Sequence, residues 1–136
     1  MKKFTVVCAL FVLCVFLSSC NKDYLDYYEN NLNDYTAIVQ YALENYAKEN
    51  ERVVVLLSDI NDENLVENIT VAEEKFSYIW VENNNVIFWD NEMKTLGLLY
   101  SEKTNEALDD IEEWYNNIDK ERIQKNWYLI GQFNCI

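Results

Sequence analysis

Apolar and polar positions change period several times along this 136-residue chain, and each change marks an element. Leu32, Tyr35, Val39, Ala42, Leu43 and Tyr46 recur at the i, i+3, i+4, i+7 spacing of a helix with one apolar stripe. Gln40, Glu44, Asn45 and Glu49 fall on the opposite side, so this helix packs one face onto something. Asn33 or Asp34 can cap its start, and Lys48 places a cation in its last turn. The period then breaks. Arg52 to Ser58 is a short β-branched and apolar run, which reads as a strand buried on both faces. Residues 59–68 are polar and irregular, with a helical turn around Leu65, and Ile69-Thr70-Val71 reads as a short strand.

The middle of the chain predicts a meander. Phe76 to Val81, Val86 to Trp89 and Leu96 to Ser101 are strands, separated by Glu82-Asn83-Asn84-Asn85 and by Asp90 to Lys94. Asparagine suits the first of these turns because it tolerates positive φ. Thr104 or Asn105 then caps a second helix, whose stripe is Ala107, Leu108, Ile111, Trp114, Tyr115 and Ile118. Trp127 to Phe133 closes the series as a strand. Gly97 and Gly131, the only two glycines, both fall inside strands, where glycine marks a bulge, a bend or a close backbone approach. Two such bends would curve the sheet. The predicted class is α+β: an N-terminal amphipathic helix on a curved, mainly antiparallel sheet of about five strands, with a second helix before the last strand. In element order this resembles cystatin-like and NTF2-like architectures, a likeness that leaves function open.

The first twenty residues obey a different rule. Lys2 and Lys3 precede an apolar stretch from Phe4 to Leu17, shorter than the ~20 residues of a membrane-spanning helix. It ends at Leu17-Ser18-Ser19-Cys20, which resembles the lipobox of bacterial lipoprotein precursors. That resemblance implies cleavage before Cys20 and a lipid on its thiol. It divides the chain into a signal peptide at 1–19, a lipidated cysteine and tether at 20–31, and a single α+β domain at 32–136. It also implies a bacterial cell envelope address, on the outer membrane or cell surface if the cell is Gram-negative. Lys22-Asp23 looks like the short charged signals that Bacteroidetes-type lipoproteins use for surface display.

Charge sharpens this. The chain carries 11 basic and 24 acidic residues, a net charge of −13. The leader holds two of the basic residues and none of the acids, so its removal takes the balance to −15. Such a surface repels nucleic acid and suits a basic protein partner. Cysteine arithmetic changes as well. On the lipobox resemblance Cys8 and Cys14 would leave with the leader and Cys20 would carry the lipid, so Cys135 would have no internal disulfide partner.

Candidate chemistry is sparse. With no histidine, the Ser-His-Asp and Cys-His constellations and histidine metal sites are excluded, and no glycine-rich phosphate loop exists. Carboxylates abound, but Asp109 and Glu113, one helical turn apart, read as a solvated face. Residues 59–64 (DINDEN) imitate the start of a calcium loop. They lack its glycine at position six, where Asn64 stands, and its glutamate at position twelve, where Thr70 stands. Asn68-Ile69-Thr70 is a formal glycosylation sequon, read as chance. The expectation is therefore no catalytic residue, no metal site and no cofactor. Trp80, Trp89, Trp127, Tyr78 and Tyr128 are the candidate binding-face aromatics. One helix on each sheet face would bury them all; two helices on one face would expose some as a binding surface. The function expected is non-catalytic protein binding of an immunity or inhibitor kind. The alternative is a glycan or small-molecule module using the aromatic face or a pocket.

Overall fold

The computed structural model describes residues 25–92, 96–102 and 119–131. Helix α1 spans 25–46. Strand β1 (Arg52–Leu56) follows, then two 3-10 turns (Leu57–Asp59 and Glu63–Leu65) and helix α2 (Val66–Glu73). The remaining strands are β2 (Phe76–Glu82), β3 (Asn85–Asp90), β4 (Leu96–Ser101), β5 (Asp119–Gln124) and β6 (Trp127–Gly131). They form one six-stranded sheet in the order β1-β2-β3-β4-β6-β5, every neighbouring pair antiparallel. The class is α+β, with the N-terminal helix on an antiparallel sheet. The helix expected at 105–118, with Asp109, Glu113 and Trp114, lies outside the described residues, as do Cys20 and Cys135. Among the described residues no helix is long and apolar enough to cross a membrane.

Helix α1 reaches further towards the N-terminus than its sequence pattern predicts. Tyr28 is fully buried one turn before Leu32, so the buried stripe is Tyr28, Leu32, Tyr35, Ile38, Val39 and Ala42. Residues 25–31 are thus a core element rather than the tether expected there, and Asn33 and Asp34 lie inside the helix instead of capping it. The reason is that Tyr27 has a fixed partner at the C-terminal end of α2 and Tyr28 one at the end of β3. The Tyr28 hydroxyl donates to Asp90 Oδ2 at 2.5 Å, and Tyr27 donates to Glu74 Oε2 at 2.6 Å. Tyr35 sits at the centre of an aromatic core, its ring 5.4 Å from Phe76, 5.6 Å from Phe88 and 6.4 Å from Trp127. Such pairs contribute about 0.5–1.5 kcal/mol each beyond the area they bury. At the other end the helix stops at Tyr46, and Lys48 instead pairs with Glu51 across an isolated bridge.

Ile69-Thr70-Val71 is helical, not a strand. Ile69 and Ala72 point into the same core as α1, while the Thr70 hydroxyl bonds back to the Val66 carbonyl. Helices α1 and α2 are joined by Asn68, whose amide donates to Asp34 Oδ1 at 2.9 Å. The residues imitating a calcium loop cap the second 3-10 turn, with Asp62 Oδ1 accepting from the Asn64 backbone N–H at 2.9 Å. Asn83 takes the positive φ expected of the β2–β3 turn, and Asn50 and Asn126 do the same at two further turns.

Strand β5 has no counterpart among the predicted elements. The two strand glycines do not mark the bulges either: register shifts lie in β2, between Phe76 and Ile79, and in β5, between Arg122 and Gln124. Gly97 marks a close approach instead. A Cβ there would lie 2.7 Å from the Phe88 carbonyl oxygen and 3.0 Å from Trp89 Cε3.

Candidate functional site

The bulge in β2 decides which aromatic faces which way. Phe76 and Ile79 both enter the helix-covered core, although strict alternation would separate them. Tyr78 and Trp80 go to the other face, where they pack on Ile87, Trp89, Leu99, Tyr128 and Ile130. Both described helices contribute to the first cluster and neither to the second.

One row of paired residues crosses this second face from edge to edge. It runs Val54, Trp80, Ile87, Leu99, Tyr128 and Arg122. Burial along it is uneven. Ile87, Leu99 and Tyr128 are buried, Trp80 is half-buried, and Val54 is 57% exposed. Leu56, two residues on from Val54 and opposite Tyr78, is 47% exposed. The β1–β2 end of this face is therefore an open apolar surface made of Val54, Leu56, Tyr78 and Trp80. This corrects the expectation that β1 is buried on both faces: it is the edge strand, and only Val55 within it is fully buried.

The open end is bordered by polar groups. Arg52 lies over the Trp80 ring, 4.3 Å from its centroid, and pairs with Glu82 at 3.4 Å. Such a stacked guanidinium adds about 0.5–1 kcal/mol at an exposed site and holds the indole in one orientation. The Trp89 ring meets Trp80 edge-on at 5.3 Å. Beside Trp89 an open cleft of about 360 Å³ is lined by Tyr78, Trp89, Asp90 and Asn91. The Asp90 carboxylate is buried and held from within, accepting from the Tyr28 hydroxyl and from the Glu92 backbone N–H at 2.8 Å. The surface thus offers a broad apolar contact with hydrogen-bonding groups at its margins. Among the described residues no group of three or more acidic or cysteine side chains is placed to hold a metal.

Of the five aromatics singled out in the sequence, Tyr78 and Trp80 line the open end. Trp89 is 6% exposed and contributes one wall of the cleft. Tyr128 shares the face but is buried beside Leu99 and Ile130. Trp127 is a correction. It stands in the adjacent row, opposite Tyr100, and points to the helix side, with its ring 6.0 Å from Phe88 and 5.3 Å from Tyr100. Sequence reasoning missed Arg52, Val54 and Leu56, because nothing in a Val-Val-Val-Leu run distinguishes an edge strand from a central one.

Comparison with known proteins finds no family model, no curated protein and no solved structure that matches this chain, so the likeness in element order to cystatin-like and NTF2-like folds carries no functional argument.

Proposed function

We propose that this chain is a non-catalytic, lipid-anchored protein of the bacterial envelope that binds another protein through the open β1–β2 end of its sheet. The observation that carries the binding reading is the exposed pair Val54 and Leu56 beside half-buried Tyr78 and Trp80. A contiguous apolar patch of that kind, bordered by an ion pair, has the make-up of an interface centre with a polar rim. The net charge of −13 supports a cationic partner of the inhibitor or immunity kind, drawn in by electrostatic steering. The anchoring reading rests on the lipobox-like end of the leader at Cys20.

A photo-crosslinking benzoylphenylalanine placed at Tyr78 tests the binding reading in intact cells. One dominant protein adduct is expected, lost with Val54→Asp and absent when the crosslinker replaces Glu121 on β5. Equal adducts at both positions would refute it. For the anchor, Cys20→Ser should release the chain from the membrane fraction.

The cleft beside Trp89 supports a second reading, a glycan module. An aromatic wall of Tyr78 and Trp89 with the exposed Asn91 amide next to it suits the alternating apolar and hydroxyl faces of a sugar. Saturable quenching of tryptophan fluorescence by an oligosaccharide, with no protein adduct at Tyr78, would favour it.

A further inference from the structure

The two edges of the sheet are built in opposite ways. At one edge β5 carries Lys120, Glu121 and Arg122 in succession, all exposed, and its register is broken by a bulge. Charges and bulges are the devices that stop a free strand edge from pairing with another chain. At the other edge β1 has no bulge and one charge, Arg52 at its start, which is held by Glu82. From Val53 to Leu56 it carries no charge, and its register with β2 runs unbroken from Arg52↔Glu82 to Leu56↔Tyr78. Among the described residues no strand pairs with its outer side.

We propose that this edge is a docking edge, which takes an extended cationic segment of the partner protein as a seventh strand. The proposal rests on the protein-binding reading above and specifies its mode and its chemistry. Strand addition supplies main-chain hydrogen bonds along β1, and alternate side chains of the added segment would extend the apolar floor formed by Val54 and Leu56. Charge selects the occupant. Lys48 pairs with Glu51 and Arg52 with Glu82, which leaves exposed Glu49 before the strand and exposed Asp59 after it as the acidic flanks. Two copies docked edge to edge would bring two sets of acidic flanks together, each on a chain of net charge −13, and that repulsion disfavours self-pairing. A segment with lysine or arginine at its ends turns the same acidic flanks into attraction.

Amide hydrogen exchange on the full chain in detergent tests this. The probes are a short peptide alternating valine and lysine and its valine–glutamate counterpart. The valine–lysine peptide at saturation should slow exchange of the outward-pointing β1 amides about tenfold, an effect that raised salt weakens. The valine–glutamate peptide should not, and Val54→Lys should abolish the protection while the chain stays folded. Equal protection by both peptides would overturn the charge selection. Protection confined to residues 78–90 with β1 unaffected would overturn strand addition and leave the protein-binding reading standing. No protection at all would also overturn the docking edge, and the crosslink at Tyr78 would still decide the broader reading.

Discussion

The two faces of this sheet share a composition and differ in use. The helix-covered face packs Phe76, Ile79, Val81, Phe88, Leu98 and Trp127 against α1 and α2, with Phe76, Ile79, Val81, Phe88 and Leu98 wholly buried. The second face is as apolar in sequence, yet its burial falls away from Leu99 at the centre to Val54 at the edge. An apolar residue has thus been spent on stability in one place and left in contact with water in another. The difference teaches that the period-2 pattern measures which face a residue takes, while the position of its strand in the sheet decides whether that face is covered.

The comparison breaks most readily in the aromatic core. Phe88→Ala should lower stability by about 3–5 kcal/mol in urea unfolding, because it opens a cavity beneath Tyr35. Trp80→Ala on the open face should lose distinctly less; an equal loss would mean that the second face is as fully packed as the first. Next in size is Tyr28→Phe. It removes a charge-assisted hydrogen bond to buried Asp90 and should lower the urea midpoint by the equivalent of about 1.5–3 kcal/mol.

A smaller effect belongs to alkaline pH. Burial first, and then the hydrogen bond to Glu74, push the Tyr27 phenol up to about 12 from its ordinary value of 10. Burial likewise raises Tyr35, Tyr46 and Tyr100. A raised folded-state pKa means that the stabilisation is complete below pH 10 and is lost as pH rises through the folded value. Urea midpoints should therefore fall between pH 10 and about 12, and Tyr27→Phe should make that fall shallower. A fall of unchanged steepness would assign it to the other tyrosines. The smallest change is expected at the edge: Val54→Thr should move stability by no more than about 0.5 kcal/mol, which thermal unfolding can check.

Where local pattern sufficed, the fold was legible. The meander strands fall within a residue of their expected bounds, and β4 coincides with them. Helix α1 was visible from Leu32 onward because its stripe is periodic there. Its first described turns were not, since Tyr27 and Tyr28 declare themselves only through Glu74 and Asp90, far away in sequence. Strand β5 escaped because an edge strand with charge on successive positions has no apolar period to detect. Ile69-Thr70-Val71 misled through β-branching, a propensity that packing beside α1 overrides. At the candidate site, Tyr78 and Trp80 could be named but not separated from Trp127. A bulge at residues 77–78 and the pairing of β6 with β4 settle their faces, and neither leaves a local signal.

The position of β6 has a consequence for the order of assembly. It is last among the described strands in sequence yet lies inside the sheet, between β4 and β5. Strands β1 to β4 can add one after another, each to its predecessor. Strand β5 cannot join in its turn, because among the described residues it pairs only with the strand that follows it. The turn at Asn126 joins β5 and β6 into a hairpin, whose β6 side pairs with β4 through contacts such as Leu98↔Leu129. Until β6 docks, the β4 edge stands open and Phe88 lacks the Trp127 ring against it, so the aromatic core is complete only once the last described strand is in place.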